Sequence, residues 1–157
     1  MPAAIAVVAA AVLACSAPGA PDTAPASLPD DAVVNLTNAE RTRKRIPPLT
    51  ASPRLMRAAQ IHAEQMARAG RLDHELPGSK YPRADDRLRA VKYSWRVWGE
   101  NVAFGPTDAA DVVQLWMKSA EHRANILNPT FTEAGVGHAM DTKGRIYWTQ
   151  VFAIPRS

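Results

Sequence analysis

The hydrophobic period of this chain changes along its length, and no other sequence feature restricts its fold as tightly. In DDAVVNLTNAERTRKR (30–45), Val33, Leu36 and Ala39 recur at helical spacing, with acids at the start and cations at the end, as the helix dipole favours. SPRLMRAAQIHAEQMARAG (52–70) offers Ser52 as N-cap, Pro53 at the first helical position and Gly70 as the stop. Leu55, Ala59, His62 and Met66 share one face of that helix. DAADVVQLWMKSAEHRANIL (108–127) reads as one further helix with Val112, Leu115, Trp116 and Ser119 on or near one stripe. By contrast, WRVWGENVAF (95–104), AGVGHAM (134–140) and RIYWTQVFAI (145–154) alternate or run apolar like strands, and DTKG joins the last two as a hairpin turn. The order predicts an α+β fold in which a small, mainly antiparallel sheet is flanked by helices. A chain of 157 residues, 46% hydrophobic, is the size of one domain with a sizeable core.

The N-terminus has a different character. Residues 3–14, AAIAVVAAAVLA, are too few to span a bilayer, which takes about 20 residues, but they suit the core of a signal peptide. The basic region expected before such a core is missing apart from the terminal amine. Cys15, in VLAC, is the only cysteine. It reads either as an incidental small residue near a signal-peptidase cut or as the lipidated first residue of a mature lipoprotein. In either case the folded part has no intramolecular disulfide and is held by its core. SAPGAPDTAPAS, the next twelve residues, reads as an extended spacer. The expected organisation is a signal at 1–15, a spacer at 16–28 and a folded domain at 29–157, placed in the cell envelope or outside it.

The net charge of +4 permits acidic partners, yet basic residues are interspersed with acids along most of the chain. The one dense run, RTRKR at Arg41 to Arg45, reads as the solvated end of a helix. No nucleic-acid motif is present, so nucleic acid is not an expected partner. The residue that asks most for an account is Glu100, in WGENVAFG. A carboxylate within an apolar strand is costly unless it is paired, so Glu100 either ties the fold together or faces a cleft. His62, on the core face of its helix, reads as a core histidine, and His138, in GVGHAM, as an exposed strand residue.

Five segments, NAERTRKRIPPL, LMRAAQIHAEQMARAGRLDH, WGENVAFG, LWMKSAEHRANILNPTFTEAGVGHA and YWTQVFA, follow in the order of the conserved blocks that define a known family. From about Asp30 to Phe152 the chain resembles the bacterial branch of the CAP superfamily, the cysteine-rich secretory, antigen 5 and pathogenesis-related 1 proteins with their SCP-like extracellular domain. The resemblance implies a three-layer α-β-α sandwich, a secreted location and a central cleft lined, in typical eukaryotic members, by two His and two Glu. Carried across residue by residue, the first His is His74 and the first Glu is Glu100. The second Glu becomes Ser119 and the second His becomes Tyr147, so this chain departs from that tetrad. Bacterial relatives commonly carry S-x-x-H-R, here Ser119 to Arg123, which puts His122 forward as a second imidazole.

Three classes of function follow. One is a non-catalytic extracellular module that binds a lipid, a small apolar ligand, a peptide or a protein in the envelope, with the membrane reached only through an N-terminal anchor. Another is a divalent-metal site, such as zinc on His74, Glu100 and His122, although His74-Glu75 is followed by Leu76-Pro77-Gly78 and makes no H-E-x-x-H helix. The last is a hydrolase using the same cleft, or Ser119 with His122 three residues on. Nothing in KSAEHR resembles a nucleophile elbow, and no third orienting group is evident.

Overall fold

The computed structural model describes residues 29–156; the apolar run 3–14, Cys15 and the spacer lie outside the described residues. Helix α1 (Pro29–Arg43) is followed by the two-residue strand β1 (Thr50–Ala51), helix α2 (Pro53–Ala69) and the short helix α3 (Ala84–Ala90). Strand β2 (Trp95–Phe104), helices α4 (Ala109–Lys118) and α5 (Ala120–Ile126), and strands β3 (Glu133–Met140) and β4 (Ile146–Pro155) complete the order. The sheet runs β1-β3-β4-β2, antiparallel except for the parallel β1–β3 edge. This is the expected α+β sandwich, with β2 at an edge.

Registry divides the side chains between two helical layers. Glu100, Val102 and Phe104 on β2 lie opposite Val151, Thr149 and Tyr147 on β4, which in turn lie opposite Gly135, Gly137 and Ala139 on β3. That face meets α2 and α3. The other face carries Ala103, Val136, Trp148 and Phe152, which join Val33, Val112, Trp116 and Ile126 from α1, α4 and α5 in the main core. Gly135 and Gly137 explain how close α2 comes. An added Cβ at Gly135 would stand 2.1 Å from the backbone of Leu55 and Met56, and one at Gly137 would stand 2.4 Å from the Gln60 amide nitrogen. Backbone packs on backbone there, and no side chain has room.

The helix α2 keeps its expected bounds, with Ser52 as N-cap, Pro53 in the first turn and Gly70 in the left-handed conformation at φ 62°. The expected single helix over 108–127 is two helices. Ser119 is extended, with φ −85° and ψ 129°, and serves both as the C-cap of α4 and as the N-cap of α5. Its hydroxyl accepts from the His122 amide at 3.5 Å, so the side chain competes with helix continuation for a first-turn donor. The stripe is correspondingly narrower, for Leu115 is exposed while Val112, Val113 and Trp116 are buried. In α1 the buried face is Val33, Val34, Thr37 and Arg41, and Leu36 is exposed.

Arg41 corrects the reading of RTRKR as wholly solvated. Its side chain is fully buried, whereas Arg43, Lys44 and Arg45 are exposed. The guanidinium donates to the carbonyls of Pro47, Ile126, Asn128 and Phe131 at 2.8–3.1 Å. A fork of several N–H groups is suited to collecting carbonyls at a loop crossing, which a helix end cannot do by backbone alone. His138 is also more engaged than expected: it stacks on Trp148 with centroids 4.7 Å apart and bonds Asp30 at 2.7 Å, fixing α1 to β3.

Two substitutions test this packing by urea denaturation. Gly135→Ala should cost on the order of 3 kcal/mol, because the added methyl meets backbone that cannot yield locally. Trp116→Ala should cost about 3–5 kcal/mol through its cavity and the lost bond from its indole N–H to the Val102 carbonyl. A loss under about 1 kcal/mol for either would contradict the closeness of these layers.

Candidate functional site: a buried carboxylate beside a cleft

Strand β2 turns Glu100 toward the α2–α3 layer, where its side chain is only 2% exposed. One oxygen accepts from the Arg87 guanidinium at 2.8 Å, and the other lies 3.0 Å from His74 Nδ1. Arg87 sits on α3 with a side chain 1% exposed, while His74, in the irregular segment after α2, is about half exposed. His62, fully buried on α2, approaches the same carboxylate oxygen at 3.6 Å, and neither ring nitrogen has a hydrogen-bond partner. The Arg87 fork reaches further, toward the carbonyls of His74, Tyr81 and Pro82 at 3.4–3.5 Å. One guanidinium therefore holds both the carboxylate and the loop that carries His74.

Charge follows this geometry. Burial alone would raise the Glu100 carboxyl, but the His74 bond and the Arg87 guanidinium hold it below the ordinary carboxylate value. The bond to Glu100 raises His74 despite its partial burial. Burial lowers His62 from 6.5 to about 4, with the field of Glu100 opposing, so that imidazole is neutral near pH 7. At 3.6 Å and uncharged, His62 is a neighbour of Glu100 and not its ion-pair partner. His74 and Glu100 line a cleft of about 590 Å³ with Glu75, Arg83, Asp85, Trp95 and Trp98.

The other anticipated residues lie elsewhere. Helix α5 packs on the opposite face of β2, where Asn101 donates to the His122 carbonyl at 3.1 Å and Asn125 donates to the Glu100 carbonyl and to the Asn101 side chain. These bonds hold the backbone of α5 at His122 against the face of β2 opposite the Glu100 side chain. Burial, aided by the charge of His74, lowers the His122 imidazole. Ser119 meets the His122 backbone, not its ring, which removes the geometry for a Ser119–His122 nucleophile pair. Tyr147 shares the sheet face of Glu100 but is buried among Met66, Leu76 and Val102, its ring 5.0 Å from Phe104.

This donor set does not fit a metal. The positions corresponding to two His and two Glu supply one imidazole, one carboxylate already bonded to a guanidinium, a capping hydroxyl and a packed phenol. A cation at Glu100 would face Arg87 at 2.8 Å. The site anticipated from His74, Glu100 and His122 is not assembled, and among the described residues no group of three or more His, Cys, Asp or Glu side chains is placed to hold an ion. Arg87 is the partner that the sequence reading missed. In ADDRLRA it resembles its neighbours Arg83 and Arg89, which form surface pairs with Asp85 and Asp86. Only its place beside the buried Leu88, on the inner side of a short helix, marks it.

Comparison with known proteins sets this arrangement in context. The sequence profile of the Cysteine-rich secretory protein family, CAP, matches residues 34–152. The Bacillus subtilis protein YkwD, described as uncharacterized, is 39% identical over 120 residues, covering 76% of this chain and 45% of its own length. The uncharacterized membrane protein YlbC of the same organism is 31% identical over 120 residues, 76% of this chain and 33% of its own. The chain therefore spans less than half of each of these relatives. Among solved structures, an extracellular SCP-domain protein from Bacillus anthracis superposes with a TM-score of 0.73 at 29% identity, over 88% of this chain and 45% of that one. An outer surface protein from Borrelia burgdorferi has the same fold, with a TM-score of 0.72 at 17% identity over 80% and 92% of the two chains.

The coupling of His74 to Glu100 has a measurable sign. A raised folded-state imidazole contributes stability that is complete below the unfolded value of 6.5 and is lost as pH rises through the folded value. NMR titration should find His74 above 6.5 in the wild type and lower in Glu100→Gln. A His74 titration that does not move with the substitution would contradict the shared bond.

Proposed function

As a member of the CAP, or cysteine-rich secretory protein, family, this chain acts, we propose, outside the cytoplasmic membrane as a non-catalytic binding domain. The observation that carries this reading is the engagement of both Glu100 oxygens, by Arg87 and by His74. A general base works best with a pKa near the working pH, and Glu100 is held on the far acidic side of it. The carboxylate is also 2% exposed, so a substrate proton could reach it only after Arg87 or His74 let go. No hydroxyl or thiol among the described residues stands within hydrogen-bond distance of an imidazole ring nitrogen to make a nucleophile pair. What the constellation does well is stiffen: it locks β2, α3 and the loop of His74 around a cleft whose walls include Trp95 and Trp98.

Placement outside the membrane is supported by the apolar run at 3–14 and by the Bacillus anthracis relative, which is described as extracellular. Among the described residues no helix is long and apolar enough to cross a membrane. Cys15 stands where a lipid anchor would be attached, with 16–28 as its leash.

The test combines fractionation with mass spectrometry. Full-length chain expressed in a bacterium should reach the envelope or medium without its first 14 residues, and native mass spectrometry should find a lipid, peptide or protein retained on it. It should turn over neither ester nor peptide substrates. Turnover abolished by Glu100→Gln, with the melting transition still cooperative, would replace this reading with a hydrolase. Recovery of intact protein, initiating Met included, from the cytosol alone would remove the extracellular placement.

A further inference from the structure

A second concavity, away from the Glu100 cleft and sharing none of its residues, runs along the outer side of α2. We infer that it is a docking site for an extended acidic peptide segment of a protein partner. The inference rests on the binding-domain reading above and names the surface and the partner's chemistry.

The groove encloses about 1020 Å³ between α2 and the segment 76–81, and ends at Ala90 and Val91. Its floor includes Ile61, Leu76, Pro77 and Val91, whereas five cations and one acid, Glu64, line it. Two of the cations are occupied: Arg54 donates to the Lys92 carbonyl at 3.0 Å, and Arg71 bonds the Glu75 carbonyl and pairs with Asp73. Arg57 and Arg68 are exposed and have no hydrogen-bond or ion-pair partner among the described residues. Lys80 meets only the ring of Tyr81, at 5.2 Å from its centroid. Glu64 accepts from Gln60 at 3.0 Å and keeps its negative charge, the one acid of the lining. Five cations against one acid leave the lining positive, and Arg57, Arg68 and Lys80 face it with no acid bonded to them.

The far wall is built, not loosely draped. Gln65, 8% exposed, crosses from α2, and in the amide orientation that pairs both of its ends it donates to the Tyr81 carbonyl at 3.2 Å and accepts from the Ser79 hydroxyl and the Tyr81 amide. Backbone bonds from Leu76 to Pro82 and from Ser79 to Leu76 close the turn.

Spacing selects the occupant. Arg57 and Arg68 are eleven helical residues apart, about 16 Å at 1.5 Å per residue. A single carboxylate or phosphate headgroup is too small to meet both. An extended peptide, advancing about 3.3 Å per residue, meets both with acids about five residues apart and lays apolar side chains on Ile61 and Pro77 between them. A flat bilayer surface cannot follow a concave floor.

Fluorescence anisotropy with the full chain and a labelled ten-residue peptide of interspersed Asp, Glu and Leu tests the site. Binding should be saturable, fall as NaCl is raised from 50 to 500 mM through screening, and weaken at least tenfold in the R57E/R68E double variant. Both residues are exposed, so the variant should keep the wild-type melting temperature and His74 titration. A peptide with Lys in place of every acid should bind the double variant better than the wild type. Equal acidic-peptide affinity for wild type and double variant would overturn the site, as would the absence of acidic-peptide binding. Charge-dependent pelleting with phosphatidylglycerol vesicles in the absence of peptide binding would overturn it in favour of a membrane surface. A chain that ignores both probes yet retains a ligand whose loss follows Trp98→Ala in the cleft would overturn this groove while leaving the binding-domain reading intact.

Discussion

The Arg87–Glu100 ion pair is the interaction from which the functional half of this domain is organised. A carboxylate or a guanidinium buried alone would carry several kcal/mol of desolvation, so neither side chain can keep its place without the other. Their contact joins a strand at the edge of the sheet to a seven-residue helix that has little other reason to exist in isolation. The same guanidinium reaches three carbonyls of the segment between α2 and α3, which has no regular ladder of its own. The loop that presents His74 is therefore ordered by a charge pair from within as well as by its own turn bonds.

A similar logic governs the opposite layer, with a different acceptor. Arg41 has no carboxylate partner among the described residues; four backbone carbonyls take the place of one, while burial lowers its affinity for the proton. Asn101 and Asn125 perform the corresponding task between β2 and α5. In each case a side chain with several donors closes a junction where the ends of elements leave backbone groups unpaired. With no cysteine among the described residues, these junctions are closed by polar clasps and not by disulfides.

Much of this was legible in the sequence. The strand WRVWGENVAF has the bounds read from its apolar run, and the cap residues of α2 announce both of its ends. The hairpin turn at Asp141 to Gly144 follows from its glycine, which takes φ 75°. What escaped were features in which one residue type has two uses. Arg41 and Arg87 are written like their solvated neighbours, and only the fold distinguishes a guanidinium that meets carbonyls or a buried acid from one that meets water. Ser119 lies within an unbroken helical period, and its capping role depends on a competition between side chain and backbone that periodicity does not record. The docking of α5 on the face of β2 opposite the Glu100 side chain was hidden for a related reason: adjacent residues of a strand point to opposite faces, and the sequence does not say which face a later helix will choose.

The two glycines of β3 have one more consequence. Because α2 rests on bare backbone at Gly135 and Gly137, it has no side-chain cushion through which to roll or slip, and the angular setting of its outward residues is fixed by the sheet beneath. The helix behaves as a gauge block. Whatever meets its outer side encounters charges at intervals set in advance, and most of the ordering entropy of that encounter falls on the visitor. Variation in sequence along that side would then rewrite a spacing code without disturbing the layer that holds it.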